Sequence, residues 1–287
     1  MAEPASSYSR VKPMLKQRII TAIILLLLFL SALFMLPQPG WIALIILVVM
    51  QGTSEWTRLA NFSGNFAHAY WWITLALVGA IVWFDADHTL TQHATLHMLV
   101  YAASALLWLA IVPFWLWMGW QVRQIFPMAL VGWAVLIPMG LAMIDLRENS
   151  PQLLLGIMVL VWVADSSAYF TGRKFGKHKL APSISPGKTW EGVLGALVGV
   201  SVYVLIIWVV IDLSHLIMFI PIILLASWCW VGLAVIGDLF ESAVKRQAGV
   251  KDSGALLPGH GGLLDRIDAL TSTLPLAALA LLLQRMA

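Results

Sequence analysis

The sequence predicts an all-α, polytopic membrane protein of about nine transmembrane helices, with its polar loops gathered on the cytoplasmic side. Three observations predict this. Of the 287 residues, 61% are hydrophobic and only 11% are charged, whereas soluble domains carry roughly a quarter charged residues. Apolar runs close to the length a helix needs to cross a bilayer recur along the whole chain. Lysine and arginine fall almost entirely between alternate runs.

The runs lie at 19–36, 40–58, 70–84, 96–118, 127–145, 152–170, 190–211, 216–236 and 268–285. The first follows a basic segment, 1–18. It is longer than the apolar core of a signal peptide and no A-x-A-like site follows it, so a retained helix is expected. The second carries Glu55 near its end, and the third is short. With the N-terminus inside, fifteen of the seventeen basic residues are cytoplasmic and only Arg147 and Arg285 lie outside, as the positive-inside rule requires. A miscount by one helix before residue 171 would destroy this asymmetry. No repeat or linker divides the chain. The expectation is one membrane domain over 1–287, with N-terminal helices at 19–164 and a chemically active part at 165–287. The single cysteine, Cys229, excludes an intrachain disulfide. A net charge of +3 in so apolar a chain points to topology and anionic headgroups, not to nucleic acid.

The segment Gly237–Leu270 is the richest in chemistry. Asp238, Ser242 and Lys245 follow an i, i+4, i+7 spacing, which gives them one face if the eighth helix continues inward. Asp265 and Asp268 share a face at the start of the ninth helix. Ionisable groups at the edge of a bilayer core are costly and usually functional. Two carboxylate clusters at adjacent helix ends suit a hard cation such as Mg²⁺ with positions left for phosphate oxygens. Lys245, Arg246 and Lys251 supply charge for those phosphates. Pro258, Gly259, Gly261 and Gly262 allow backbone to approach a ligand, and a helix N-terminus nearby attracts anions.

The other cytoplasmic segment, Asp165–Gly192, contains Gly187-Lys188-Thr189. A P-loop would need a glycine where Pro182 stands, and a strand leading into it, which is not expected here. What remains is a basic loop suited to a polyphosphate or an anionic headgroup, with Arg173, Ser185 and Lys188 as the binding candidates. Asp165 either faces the same cavity or caps a neighbouring helix. On the opposite face, Asp85–His97 places His93 and His97 at zinc-compatible spacing, but without the glutamate of H-E-x-x-H; a hydrated loop is expected. Trp41, Trp71, Trp72, Trp115, Trp117 and Trp120 read as interfacial anchors.

Ser242, Lys245-Arg246, Lys251-Asp252, Gly254, Leu257-Pro258, His260-Gly261-Gly262, Asp265-Arg266 and Asp268 resemble the signature of the phosphatidate cytidylyltransferases, or CDP-diacylglycerol synthases, without a departure. The Asp165–Gly192 segment, ending in S-P-x-K-T-W-E-G, is similar to the family's second region. Before Asp165 the likeness rests on hydropathy and on Glu55-Trp56. The resemblance implies a Mg²⁺-dependent reaction at the cell inner membrane, in which CTP and phosphatidate give CDP-diacylglycerol and pyrophosphate. It implies a homodimer and a pair of metal ions. By motif position Asp238 and Asp265 are the metal ligands, and Ser242, Lys245 and Asp268 complete the site. Substrate contacts are expected from Arg173, Ser185, Lys188, Arg246, Lys251, His260, Gly261 and Gly262. Two rival readings use similar parts: a CTP-dependent polyprenol kinase and an anion transporter. A transporter usually shows interrupted helices in both halves, whereas here the charges crowd one face of the C-terminal half.

Overall fold

The computed structural model describes residues 11–87, 90–212, 214–256 and 261–286. The basic segment 1–10, and Leu257, Pro258, Gly259 and His260 of the signature, lie outside the described residues, as does the side chain of His93. The helices are α1 (Val11–Met35), α2 (Gln38–Leu59), α3 (Gly64–Asp87), α4 (Leu90–Leu106), α5 (Val112–Met118), α6 (Ile125–Asn149), α7 (Pro151–Phe175), α8 (Trp190–Val210), α9 (Ile220–Gln247) and α10 (Leu264–Met286). A π turn at Leu107–Ile111 joins α4 and α5 into one rod. Pro113 follows at once, and its missing N–H and bulky ring disturb the α ladder there. Among the described residues, eight spans are long and apolar enough to cross a membrane, and Ile20–Met35 is a shorter apolar helix. These nine apolar segments fall in the nine predicted places.

α6 and α10 are the most enclosed spans, whereas α3 and α8 are among the least. α6 packs between α2 and α10, and α10 packs in turn on α9. α7 and α8 form the closest pair. Gly195 and Gly199 of α8 face Thr171 and Ser167 of α7 so tightly that a side chain at either would collide. Small residues permit such approach where lipid offers no hydrophobic drive between helices.

Hydrogen bonds between helix ends show which ends share a face. At one face, Arg147 of α6 donates to Leu33 O and Gln38 Oε1, both at 2.9 Å, and to Leu36 O, while Arg285 of α10 meets Asn149 Oδ1. Arg147 thereby caps the C-terminus of α1, where a cation complements the helix dipole. At the other face, Trp56 Nε1 donates to Met128 O at 2.9 Å, Tyr70 OH to Ala129 O at 3.1 Å, and Gln247 Nε2 to Val122 O at 2.5 Å. The ends alternate as the parity of the basic residues requires.

Three expectations are corrected. Trp41 is fully enclosed, its Nε1 donating to Met143 O at 3.1 Å, and Trp115 is buried with its Nε1 bonded to Trp120 O at 3.0 Å. Both are packed in the bundle, because an indole N–H that finds a carbonyl can be buried. His97 is not in a hydrated loop. It lies buried in α4 with Nδ1 2.7 Å from Asp145 Oδ2, which also accepts from Tyr101 OH at 2.7 Å. A carboxylate only accepts, so this Nδ1 carries the proton. Finally, the segment before α8 is not wholly irregular. β1 (Lys179–Ala181) and β2 (Ser185–Thr189) pair antiparallel, Lys179 opposite Thr189 and Ala181 opposite Ser185. Gly187-Lys188-Thr189 therefore lies within a strand, and Thr189 then caps α8, its Oγ1 accepting from Gly192 N at 3.1 Å.

Candidate active site

α9 does continue beyond its apolar run, to Gln247, so Asp238, Ser242 and Lys245 share one face. Ser242 Oγ donates to Asp238 Oδ1 at 3.4 Å. α10 begins at Leu264, which puts Asp265 and Asp268 in its first turns. Where the two helices meet, Lys245 Nζ lies 2.6 Å from Asp265 Oδ1 and 3.3 Å from Glu241 Oε1.

The second oxygen of Asp265 is held by its own approach loop. Its Oδ2 accepts from Gly262 N and Ser253 N, each at 2.9 Å, and lies 3.0 Å from Ser253 Oγ, whose single proton it shares with Glu55 Oε2. Gly261 has φ +84, a conformation that favours glycine, and a side chain there would lie 2.7 Å from Asp265 Oδ2. Gly262 is buried against Ser253 and Glu55.

The hairpin closes the other side. Lys188 Nζ lies 2.5 Å from Asp238 Oδ2, and Arg246 Nε donates to Ile184 O at 3.3 Å. Glu191 at the start of α8 fastens the hairpin's base, accepting from Lys177 N at 3.1 Å and His178 N at 3.2 Å, with His178 Nδ1 at 2.6 Å. Asp165, exposed on α7, is within electrostatic range of Asp238 and Lys188, and Asp268 is within range of Asp165, Asp238 and Lys245. Lys188, Asp238, Ser242, Lys245, Asp265 and Asp268 thus come together. Arg173 is exposed and bonds to Tyr169 OH at 3.2 Å, Ser185 pairs with Ala181, and Lys251 is exposed; these three stand outside the bonds around the carboxylates.

Residues not assigned to the site in the sequence also belong here. Glu241 joins Asp238 and Lys245 on the same face of α9, which its spacing from Lys245 signals. Both its carboxylate oxygens are buried without a directed hydrogen bond, although Lys245 is close. Ser253 and Glu55 hold the approach loop, and Glu55 was visible as a carboxylate in an apolar run. The cluster has five carboxylates, at Asp165, Asp238, Glu241, Asp265 and Asp268, against the ammonium groups of Lys188 and Lys245. As the side chains stand, no three such groups among the described residues converge on one point for a metal. The lysines draw Asp238 and Asp265 to themselves. An excess of hard oxygen donors, with Glu241 unsatisfied among them, still fits a divalent cation.

A family model described as the cytidylyltransferase family matches residues 16–284. The chain is 37% identical over 283 residues to a Pseudomonas aeruginosa protein, covering 92% of this chain and 96% of that one. The chain belongs to the cytidylyltransferase family. A Haemophilus influenzae relative is 38% identical over 91% of this chain and 96% of its own length. A Thermotoga maritima relative is 45% identical over a shorter stretch, 42% of this chain and 46% of that one. All three relatives are named phosphatidate cytidylyltransferase. For a cytidylyltransferase, an acid-rich cluster with two lysines at the ends of membrane helices has a clear use. It can hold a cation and a nucleotide's phosphates beside a lipid, and neither the polyprenol kinase nor the transporter is favoured.

Proposed function

We propose that this protein is a CTP:phosphatidate cytidylyltransferase, a nucleotidyltransferase of phospholipid biosynthesis. The observation that carries the reading is the junction of the two polar segments through Lys188–Asp238, beside the Lys245–Asp265 pair within the second segment, at one end of the helix bundle. The positive-inside count puts that end, with the N-terminus, in the cytoplasm, where CTP is found. The membrane is the cell inner membrane, the whole chain acts as one membrane domain, and the active form is a homodimer.

In the reaction, a phosphate oxygen of phosphatidate attacks the α-phosphorus of CTP, and the bond from that phosphorus to the α,β-bridging oxygen breaks. A new P–O–P link joins lipid to cytidylate, and pyrophosphate leaves with the bridging oxygen. A phosphate monoester is largely dianionic near neutral pH, so no strong base is needed to create the nucleophile. The difficulty is to bring two polyanions together in line, which calls for positioning and electrostatics.

Asp238 and Asp265 would hold Mg²⁺, with Asp268, Glu241 and Ser242 as further oxygen donors for a second metal ion. Bound there, the metal supplies positive charge to the triphosphate and to the leaving pyrophosphate. Lys188 and Lys245, released from their carboxylates, orient and neutralise phosphates. Arg246, Lys251 and the Gly261-Gly262 backbone serve CTP, a role also assigned by motif to His260, while Arg173 and Ser185 with Lys188 receive the lipid headgroup. The partly exposed α7–α8 surface lets phosphatidate enter sideways from the bilayer. The direct test is purified protein in detergent with phosphatidate, CTP and Mg²⁺, followed for pyrophosphate. Release that requires all three supports the reading, and release without phosphatidate contradicts it.

A further inference from the structure

Glu55 lies in the N-terminal half of the chain, on α2, and is 1% exposed. Burying a carboxylate in a membrane helix is costly unless it is well bonded. Here four donors converge on it. Its Oε1 accepts from Leu263 N at 2.8 Å and Gln51 Nε2 at 3.0 Å. Its Oε2 accepts from Leu264 N at 2.8 Å and shares the single proton of Ser253 Oγ, 2.9 Å away, with Asp265 Oδ2. Leu264 N is the first amide of α10, without a partner inside its own helix, Leu263 N directly precedes it, and an anion is favoured at that end of the dipole. Glu55 is thus a cap supplied from a helix far away in sequence. Gly254 and Gly262 make room for it, since side chains there would lie 2.9 Å from Glu55 Oε1 and 2.5 Å from Glu55 Oε2.

The consequence is for Asp265. An acid at the start of a helix ordinarily turns back onto the free amides. Here Glu55 satisfies the amides of Leu263 and Leu264, and Ser253 Oγ bridges Glu55 and Asp265 at 2.9 and 3.0 Å. Asp265 therefore needs only its Oδ2 for the loop, and its Oδ1 stays turned to Lys245. We propose that Glu55 is a positioning residue for the cytidylyl transfer: by fixing Ser253, Leu263 and Leu264 it holds Asp265 Oδ1 towards Lys245 and the carboxylate cluster. This rests on the reaction proposed above.

Glu55→Gln keeps the shape but sets an NH₂ against two amides or a hydroxyl. Glu55→Asp keeps the charge on a shorter arm. In detergent, Glu55→Gln is expected to lower kcat at least thirtyfold and raise the Mg²⁺ needed for half-maximal rate severalfold. The KM for phosphatidate should stay within twofold. Glu55→Asp should recover at least a fifth of wild-type kcat. Hydrogen exchange at the amides of Gly262, Leu263 and Leu264, measured without turnover, should quicken at least tenfold in Glu55→Gln and return towards wild type in Glu55→Asp. Wild-type kcat and Mg²⁺ dependence in Glu55→Gln, or unchanged exchange, would overturn the proposal. So would an equal loss in kcat and in phosphatidate binding. If Glu55→Gln fails to fold, Ser253→Ala decides. A fivefold or larger fall in kcat at unchanged phosphatidate KM is expected, and wild-type kinetics would overturn the proposal. An inactive wild-type protein would overturn the assigned reaction instead, and the exchange measurement would still decide whether Glu55 holds the loop.

Discussion

Lys188 on β2 and Asp238 on α9 meet with Nζ and Oδ2 2.5 Å apart, and this pair joins the two polar segments that the sequence presents separately. Both side chains remain partly accessible, so the pair is open to exchange. An arriving phosphate can take the lysine while a cation takes the aspartate. Lys188→Met, which keeps the stem and removes the ammonium, is expected to cut activity at least tenfold. Arg173→Met, removing an exposed arginine bonded to Tyr169 OH, should cost less. Initial rates against the mole fraction of phosphatidate in mixed micelles check both. Equal rates for Lys188→Met and wild type would detach the hairpin from the site.

Asp265→Asn preserves shape and removes the charge that Lys245 and the loop amides share. Activity should fall by two or more orders of magnitude while the protein still elutes as the folded species, and Asp238→Asn should behave alike. Rates and size-exclusion profiles measured on the same preparations test this. A fall of less than tenfold in both variants would place the metal elsewhere.

Buried His97 and half-buried Asp145, at the far face, form a pair that the proposed reaction does not use. His97→Ala leaves Asp145 with Tyr101 OH among its donors. Hydrogen bonds between membrane helices are worth about 1 kcal/mol, so the melting temperature should fall by a few degrees. At a temperature where the variant is folded, kcat should remain within twofold of wild type. A loss of kcat without a loss of stability would bring this cluster into the mechanism.

The faces themselves are testable. A cysteine placed at Lys177 or Ala255 in a Cys229→Ser background should be shielded from an impermeant thiol reagent added outside intact cells. One placed at Asp85 should react. The opposite pattern would invert the topology.

Much of this was legible in the sequence because membrane helices announce themselves by length and hydropathy. Helical periodicity then aligned Asp238, Ser242 and Lys245 without reference to tertiary structure. The remainder depended on contacts between distant segments. Nothing local at Glu55 says that it will cap a helix begun at Leu264. Trp41 and Trp115 have the composition of interfacial anchors, and only the carbonyls they meet, at Met143 and Trp120, bury them. His97 read as hydrated because Asp145, its partner, lies in another run. The hairpin at Lys179–Thr189 is too short to give a strand pattern, and its pairing follows from the anchoring of both ends by α7 and α8.

The central claim is attack on the α-phosphorus of CTP, and isotope position tests it most directly. Purified wild-type protein is given phosphatidate, Mg²⁺ and CTP labelled at either the α- or the γ-phosphate, with Asp265→Asn protein as the control for contaminating enzymes. The account predicts α label in the lipid product and γ label only in pyrophosphate, with neither transfer in the variant. Lipid labelled from the γ position by the wild type and not by the variant would contradict it, and would make the protein a lipid kinase.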